Sequence, residues 1–218
     1  MRKEITFETI GSFLGIVSAA ILIGGYIFDL FNEPNLIFLK PEKVLLRNYK
    51  FDPNGVGYLR VATPMSYINE DNFGKNSIIA KETVSYDYYD KNILQTWNTF
   101  ETFQEDEKQQ LHSIKSEEIG PFLVNSRSAV THNTYFAPSV INCSKEPNCK
   151  PDANFVKFSD FLEYLENSLK QQNNTSLIFN YEVKVYEGES ISSTCNILID
   201  SLQFQRLKQF GWVSLACF

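Results

Sequence analysis

Histidine is scarce in this chain: His112 and His132 are the only two. That leaves little material for imidazole-based acid–base catalysis, and either residue reads more readily as a surface or structural group than as a catalyst. The short catalytic signatures are also missing. There is no G-x-S-x-G elbow, no phosphate-binding glycine loop and no H-E-x-x-H helix. No run of Lys and Arg occurs anywhere, and 20 basic residues face 26 acidic ones for a net charge of −6. A nucleic-acid surface is therefore excluded, because backbone phosphates require clustered positive charge. The four cysteines form no C-x-x-C knuckle and neither histidine lies near them in sequence, which argues against zinc. No metal or cofactor is expected, and with no catalytic motif the chain is not expected to be an enzyme.

What the chain does have is one long uncharged stretch. From Ile10 to Phe28 it reads IGSFLGIVSAAILIGGYIF, nineteen residues without a charge. At the rise of a helix this spans about 28 Å, close to the hydrocarbon thickness of a bilayer. Tyr26, Phe28 and Phe31 supply an aromatic end, and Pro34 stops the helix. A cleaved signal peptide is the rival, with Ser18-Ala19-Ala20 as its cleavage site. The apolar run continues through Phe28, however, where a signal peptide turns polar. The reading is a single transmembrane helix in residues 1–33, in contact with lipid over 10–31, followed by a globular domain over 34–218. Small residues recur at helical spacing along it. Gly11, Gly15 and Ala19 form one set, Ala20 and Gly24 a second, and such faces let helices approach closely in lipid.

Beyond the anchor, short strand-like runs separated by turns dominate. They are Leu36 to Leu39, Val44 to Phe51, Val56 to Thr63, Met65 to Ile68, Ser77 to Tyr88, Ile93 to Phe103, Ala129 to Phe136, Ser176 to Tyr186, Ser193 to Ile199 and Val213 to Phe218. Asp52-Pro53-Asn54-Gly55 is a turn between the second and third. One amphipathic helix carries Phe158, Phe161, Leu162, Leu165 and Leu169, with Asp160 and Glu163 as a capping pair. Gln104 to Glu118 is polar and charged and reads as a solvated insertion. The spacing of strands and turns predicts a mainly β fold, an immunoglobulin-like antiparallel β-sandwich with one packed helix. Architecture of that kind does not name a function.

All four cysteines, Cys143, Cys149, Cys195 and Cys217, lie in the last third. Three connectivities are possible. We expect Cys143–Cys149 to close a polar turn and Cys195–Cys217 to pin the final strand. Disulfides place the domain in a periplasm, an exterior or a lumen, with the N-terminus cytoplasmic. In a eukaryotic host, Asn142, Asn173 and Asn174 would each begin a glycosylation sequon. A cytosolic domain with free thiols is the opposing arrangement.

Ser85-Tyr86-Asp87-Tyr88-Tyr89-Asp90 is the candidate surface, with Tyr86, Tyr88 and Tyr89 as contact residues, since tyrosine offers large contact area at small entropic cost. The functional expectation is a membrane-anchored extracytoplasmic binding or assembly module, an accessory subunit or interaction protein of an envelope complex. It would work with a protein partner or as a homo-oligomer. A tethered hydrolase of envelope material, using carboxylates such as Asp87 and Asp90, is one alternative. A membrane-held, immunity-type toxin neutraliser is the other.

Overall fold

The computed structural model describes Ser18, residues 21–25, 35–50, 55–71, 74–138, 155–186, Gly188 and 190–218. Eleven strands form one antiparallel sheet. They are β1 (Leu36–Leu39), β2 (Lys43–Lys50), β3 (Gly57–Asn69), β4 (Ser77–Tyr88), β5 (Lys91–Glu105), β6 (Leu111–Glu118), β7 (Phe122–Val124), β8 (Ser128–Ala137), β9 (Asn174–Val185), β10 (Ser190–Asp200) and β11 (Trp212–Ala216). The two described helices that pack on the sheet are α1 (Phe158–Gln171) and α2 (Ser201–Phe210). The main path runs β10-β9-β4-β5-β8-β3-β2-β11, with β1 beside β3, β6 beside β5 and β7 beside β4.

The two ends of that path meet. Phe218 N donates to Asn196 O at 3.0 Å, and Cys195 on β10 is bonded to Cys217, the residue after β11. The sheet is thus nearly barrel-like. This corrects the two-sheet immunoglobulin-like sandwich expected from turn spacing. Spacing sets the number and length of strands, but not which edges pair. Here β4 lies between β9 and β5, and hydrogen bonding continues from β10 to β11 without dividing into two sheets.

Side-chain alternation places the core inside this curl. In β9 every second residue is buried: Thr175, Leu177, Phe179, Tyr181, Val183 and Val185. Tyr67, Tyr86, Tyr181, Phe136 and Phe179 are the bulky fillers, each worth roughly 2–3 kcal/mol on burial. The runs expected as Val56 to Thr63 and Met65 to Ile68 are one strand, β3. It passes through Pro64 because β2 pairs only as far as Ala62 and β1 begins at Ser66, so the proline falls in the gap between them.

The helices cap one end. Leu59 N donates to Val156 O just before α1, near the start of β3, and Tyr88 at the end of β4 meets Phe161 and Tyr164. α1 buries Phe158, Phe161 and Leu165. Its N-cap is Lys157, with no side-chain cap bond, so Asp160 and Glu163 are not the capping pair expected; Asp160 sits in the first turn. α2 has the capping box instead, with Asp200 and Gln203 bonded reciprocally. It ends at Gly211, whose φ of 75° is the left-handed geometry that glycine adopts without strain. The chain enters at the opposite end, where Leu36 of β1 stands beside Asn69.

Most of the expected membrane segment lies outside the described residues, including Gly11, Gly15, Ala19 and Ala20. Ser18 and 21–25 are helical, Ile21, Leu22 and Ile23 are exposed, and Gly24 has open space around it. Among the described residues no helix is long and apolar enough to cross a membrane.

Candidate functional site

The predicted solvated insertion is a structured arm. β5 outruns its partners: it pairs with β4 and then β8 as far as Phe100, and with β6 alone from Glu101 to Glu105. Register shifts at Trp97/Thr99 and Thr102/Phe103 bend it away from the barrel. The tip is built by Asp106, whose carboxylate accepts from Lys108 N and Gln110 N, while His112 Nε2 lies 2.9 Å from it. These bonds hold the Asp106 carboxyl below its ordinary range, the backbone bond from Gln110 most of all. Gln109 takes the positive φ the turn requires.

The arm folds back over the outer wall of β8, β3, β2 and β11. Phe103 packs on Tyr135 at 5.6 Å, and the Arg47 guanidinium lies over the Phe103 ring at 5.5 Å. Arg47 donates to Leu111 O at 3.2 Å, Trp212 Nε1 donates to Gln109 O at 2.9 Å, and Arg206 pairs with Glu105 at 3.0 Å. Beneath it, the buried Arg60 guanidinium is sandwiched between Tyr49 and Tyr135 at 4.0 and 4.1 Å and donates to Asn98. Burial pushes the Tyr135 hydroxyl up to about 12, although Arg60 and Arg47 pull the other way.

Between arm and wall lies a half-open cleft of about 260 Å³. Phe103, Leu111 and Trp212 give it apolar sides, and Lys43, Glu105 and Asn133 give it polar ones. A second, wider groove of about 690 Å³ runs past the arm tip, between the ends of β2 and α2.

Inside the barrel sits a different cluster. Glu82 is fully buried and accepts from Tyr67 at 2.5 Å, Thr134 at 2.5 Å and His132 at 2.9 Å. Burial, then the Glu82 charge, holds the Tyr67 hydroxyl far above its ordinary range. The His132 ring is walled by Phe100 and Phe122, with centroids 4.1 and 4.7 Å away. Three donors engage both carboxylate oxygens and aromatic rings crowd the imidazole, so the cluster reads as a satisfied interior network.

The tyrosine candidates separate. Tyr86 is not a surface residue: it is buried, accepts from Gln95 Nε2 at 3.2 Å, and packs on Phe179. Burial lifts its hydroxyl well above the usual range. Tyr88 is half-buried and Tyr89 exposed, and both meet Tyr164 of α1 at 5.3 and 4.9 Å. Asp87 accepts from Asn92 Nδ2. Cys195 and Cys217 are bonded as expected, with Cα atoms 5.0 Å apart; Cys143 and Cys149 lie outside the described residues. Among the described residues no group of three or more His, Cys, Asp or Glu could hold a metal ion.

No protein-family model matches the chain, and no curated protein does. A solved structure titled "Crystal structure of protein from Archaeoglobus fulgidus" is similar over 74% of this chain and 98% of that one, at 10% identity and a TM-score of 0.42.

Proposed function

We propose that the chain is a membrane-anchored binding module whose domain faces an oxidising compartment, and that it recognises its partner through the cleft between arm and wall. The cleft is the observation that carries this reading. It combines apolar walls with Lys43, Glu105 and Asn133, the usual composition of a recognition site. At the barrel centre Tyr67, Thr134 and His132 are all spent on Glu82. The uncharged run from Ile10 to Phe28, the exposed Ile21, Leu22 and Ile23, and the Cys195–Cys217 bond support the anchor and the compartment. An accessory subunit of an envelope complex fits this reading. An immunity-type protein is the variant in which the partner is a toxin.

The test is site-specific photocrosslinking of the full chain in its native membrane. A photoreactive residue replaces Glu105 in the cleft or, as control, exposed Tyr186 at the opposite end of the barrel. A defined adduct from position 105 alone is expected. Equal background from both positions would count against the cleft.

A further inference from the structure

The wider groove at the arm tip carries charge of one sign. Its basic lining comes from two separate segments: Arg47 and Lys50 from the end of β2, and Lys108 and His112 from the arm. Gln110 and Gln209 add amides, and among the described residues no carboxylate lines it. This occurs in a chain of net charge −6. Of the three acids at the head of the arm, two are engaged, and Glu107 is exposed beside Lys108. Asp106 holds the tip amides and His112, and Glu105 holds Arg206. Arg47 spends one nitrogen on Leu111 O and its face on Phe103, while Lys50 and Lys108 make no ion pair among the described residues. Arg47, Lys50 and Lys108 thus converge on a groove that also abuts the carbonyl end of α2, where a positive lining is tolerated.

We propose that this groove binds a soluble, phosphate-bearing small molecule, a ligand class that deepens the binding-module reading and rests on it. Several cations from separate elements suit a multiply charged oxyanion, and the arginine fork matches phosphate geometry in two directions. The fold favours a free ligand over a lipid headgroup. The groove borders Lys50, which pairs with Gly57 at one end of β3, whereas the chain enters beside Asn69 at the other. β3 has thirteen residues, so about 40 Å separates the groove's end of the strand from the end where the chain enters.

The experiment titrates the full chain, reconstituted in phosphatidylcholine nanodiscs, with sodium pyrophosphate by calorimetry. Saturable one-to-one binding is expected, weakening steeply with added salt. The exposed pair Lys50→Gln/Lys108→Gln should weaken it by about ten-fold or more with unchanged unfolding midpoint. No saturable binding at millimolar pyrophosphate, or equal binding by the double variant, would overturn the proposal. Nanodiscs containing phosphatidylglycerol separate the two phosphate sources. Unchanged pyrophosphate affinity supports a soluble ligand, and loss of it through headgroup competition overturns that assignment. Adducts at position 105 alongside a failed titration would sink this proposal and leave the cleft reading standing.

Discussion

Replacing Cys217 by serine opens the ring that joins the two ends of the sheet. The bond spans 22 residues of sequence. Loop-closure entropy for that span gives about 3.4 kcal/mol of stabilisation, carried by restriction of the unfolded chain. Serine is close in size to cysteine, and Cys217 is only partly covered, so little packing loss should be added. Cys195 stays in place, which avoids emptying its fully buried site. For a domain of this size the loss corresponds to a fall of roughly 7–13 °C in Tm. The assay is urea unfolding of the full chain in mild detergent, followed by tryptophan fluorescence, with the bond in the parent protein first verified by mass spectrometry. Dithiothreitol should reproduce the loss in the parent. Any further loss it causes in the Cys217→Ser variant measures the contribution of Cys143 and Cys149. A change below about 1 kcal/mol with the parent bond intact would refute the reasoning, and would mean that the unfolded chain is already compact across this span.

Other perturbations have equally definite outcomes. Glu82→Ala strands the Tyr67, Thr134 and His132 donors in the barrel interior and should cost about 3–5 kcal/mol in urea unfolding, whereas Glu82→Gln should cost less because it keeps an acceptor. Phe103→Ala removes the ring that seats the arm on Tyr135; cleavage near Lys108 under limited trypsin should accelerate severalfold, while the global midpoint shifts by about 1–2 kcal/mol. Alkaline stability follows from the buried phenols. The hydroxyls of Tyr67, Tyr86, Tyr135 and Tyr181 are all raised in the fold by burial, so their neutral forms stabilise it below pH 10 and that stability is lost as pH rises through the raised values. Ultraviolet titration should show these phenolates appearing together with unfolding; their independent ionisation in the folded state would contradict this.

Much of the β architecture is readable one strand at a time. β9 declares itself because one face is core and the other solvent, so period two is written into Phe179 through Val185. β6 carries no such mark. Nearly all of its residues are exposed, and it is a strand because β5 runs beside it. α2 did leave signals, the Asp200–Gln203 box and Gly211, but they are short and lie between two strong strands. The choice of barrel over sandwich depends on pairings such as β4 with β9, far apart in sequence, which no local pattern encodes. The same holds for the groove. Arg47 and Lys50 lie about sixty residues from Lys108 in sequence, and only the folded-back arm gathers them. The interior acid network was equally hidden, since Glu82 and His132 sit fifty residues apart on different strands.

The covalent join also governs how this protein can be touched. Across it the Cα atoms are 5.0 Å apart, about one inter-strand spacing. A foreign strand cannot slip between β10 and β11 there to extend the ladder, so neither a peptide ligand nor a second misfolded copy can be recruited by backbone addition at that point. Along the arm, β6 pairs on one side with β5, and that strand is studded with Lys115, Glu117 and Glu118. Closed in this way, the sheet gains resistance to edge-to-edge aggregation for as long as the ring stays oxidised.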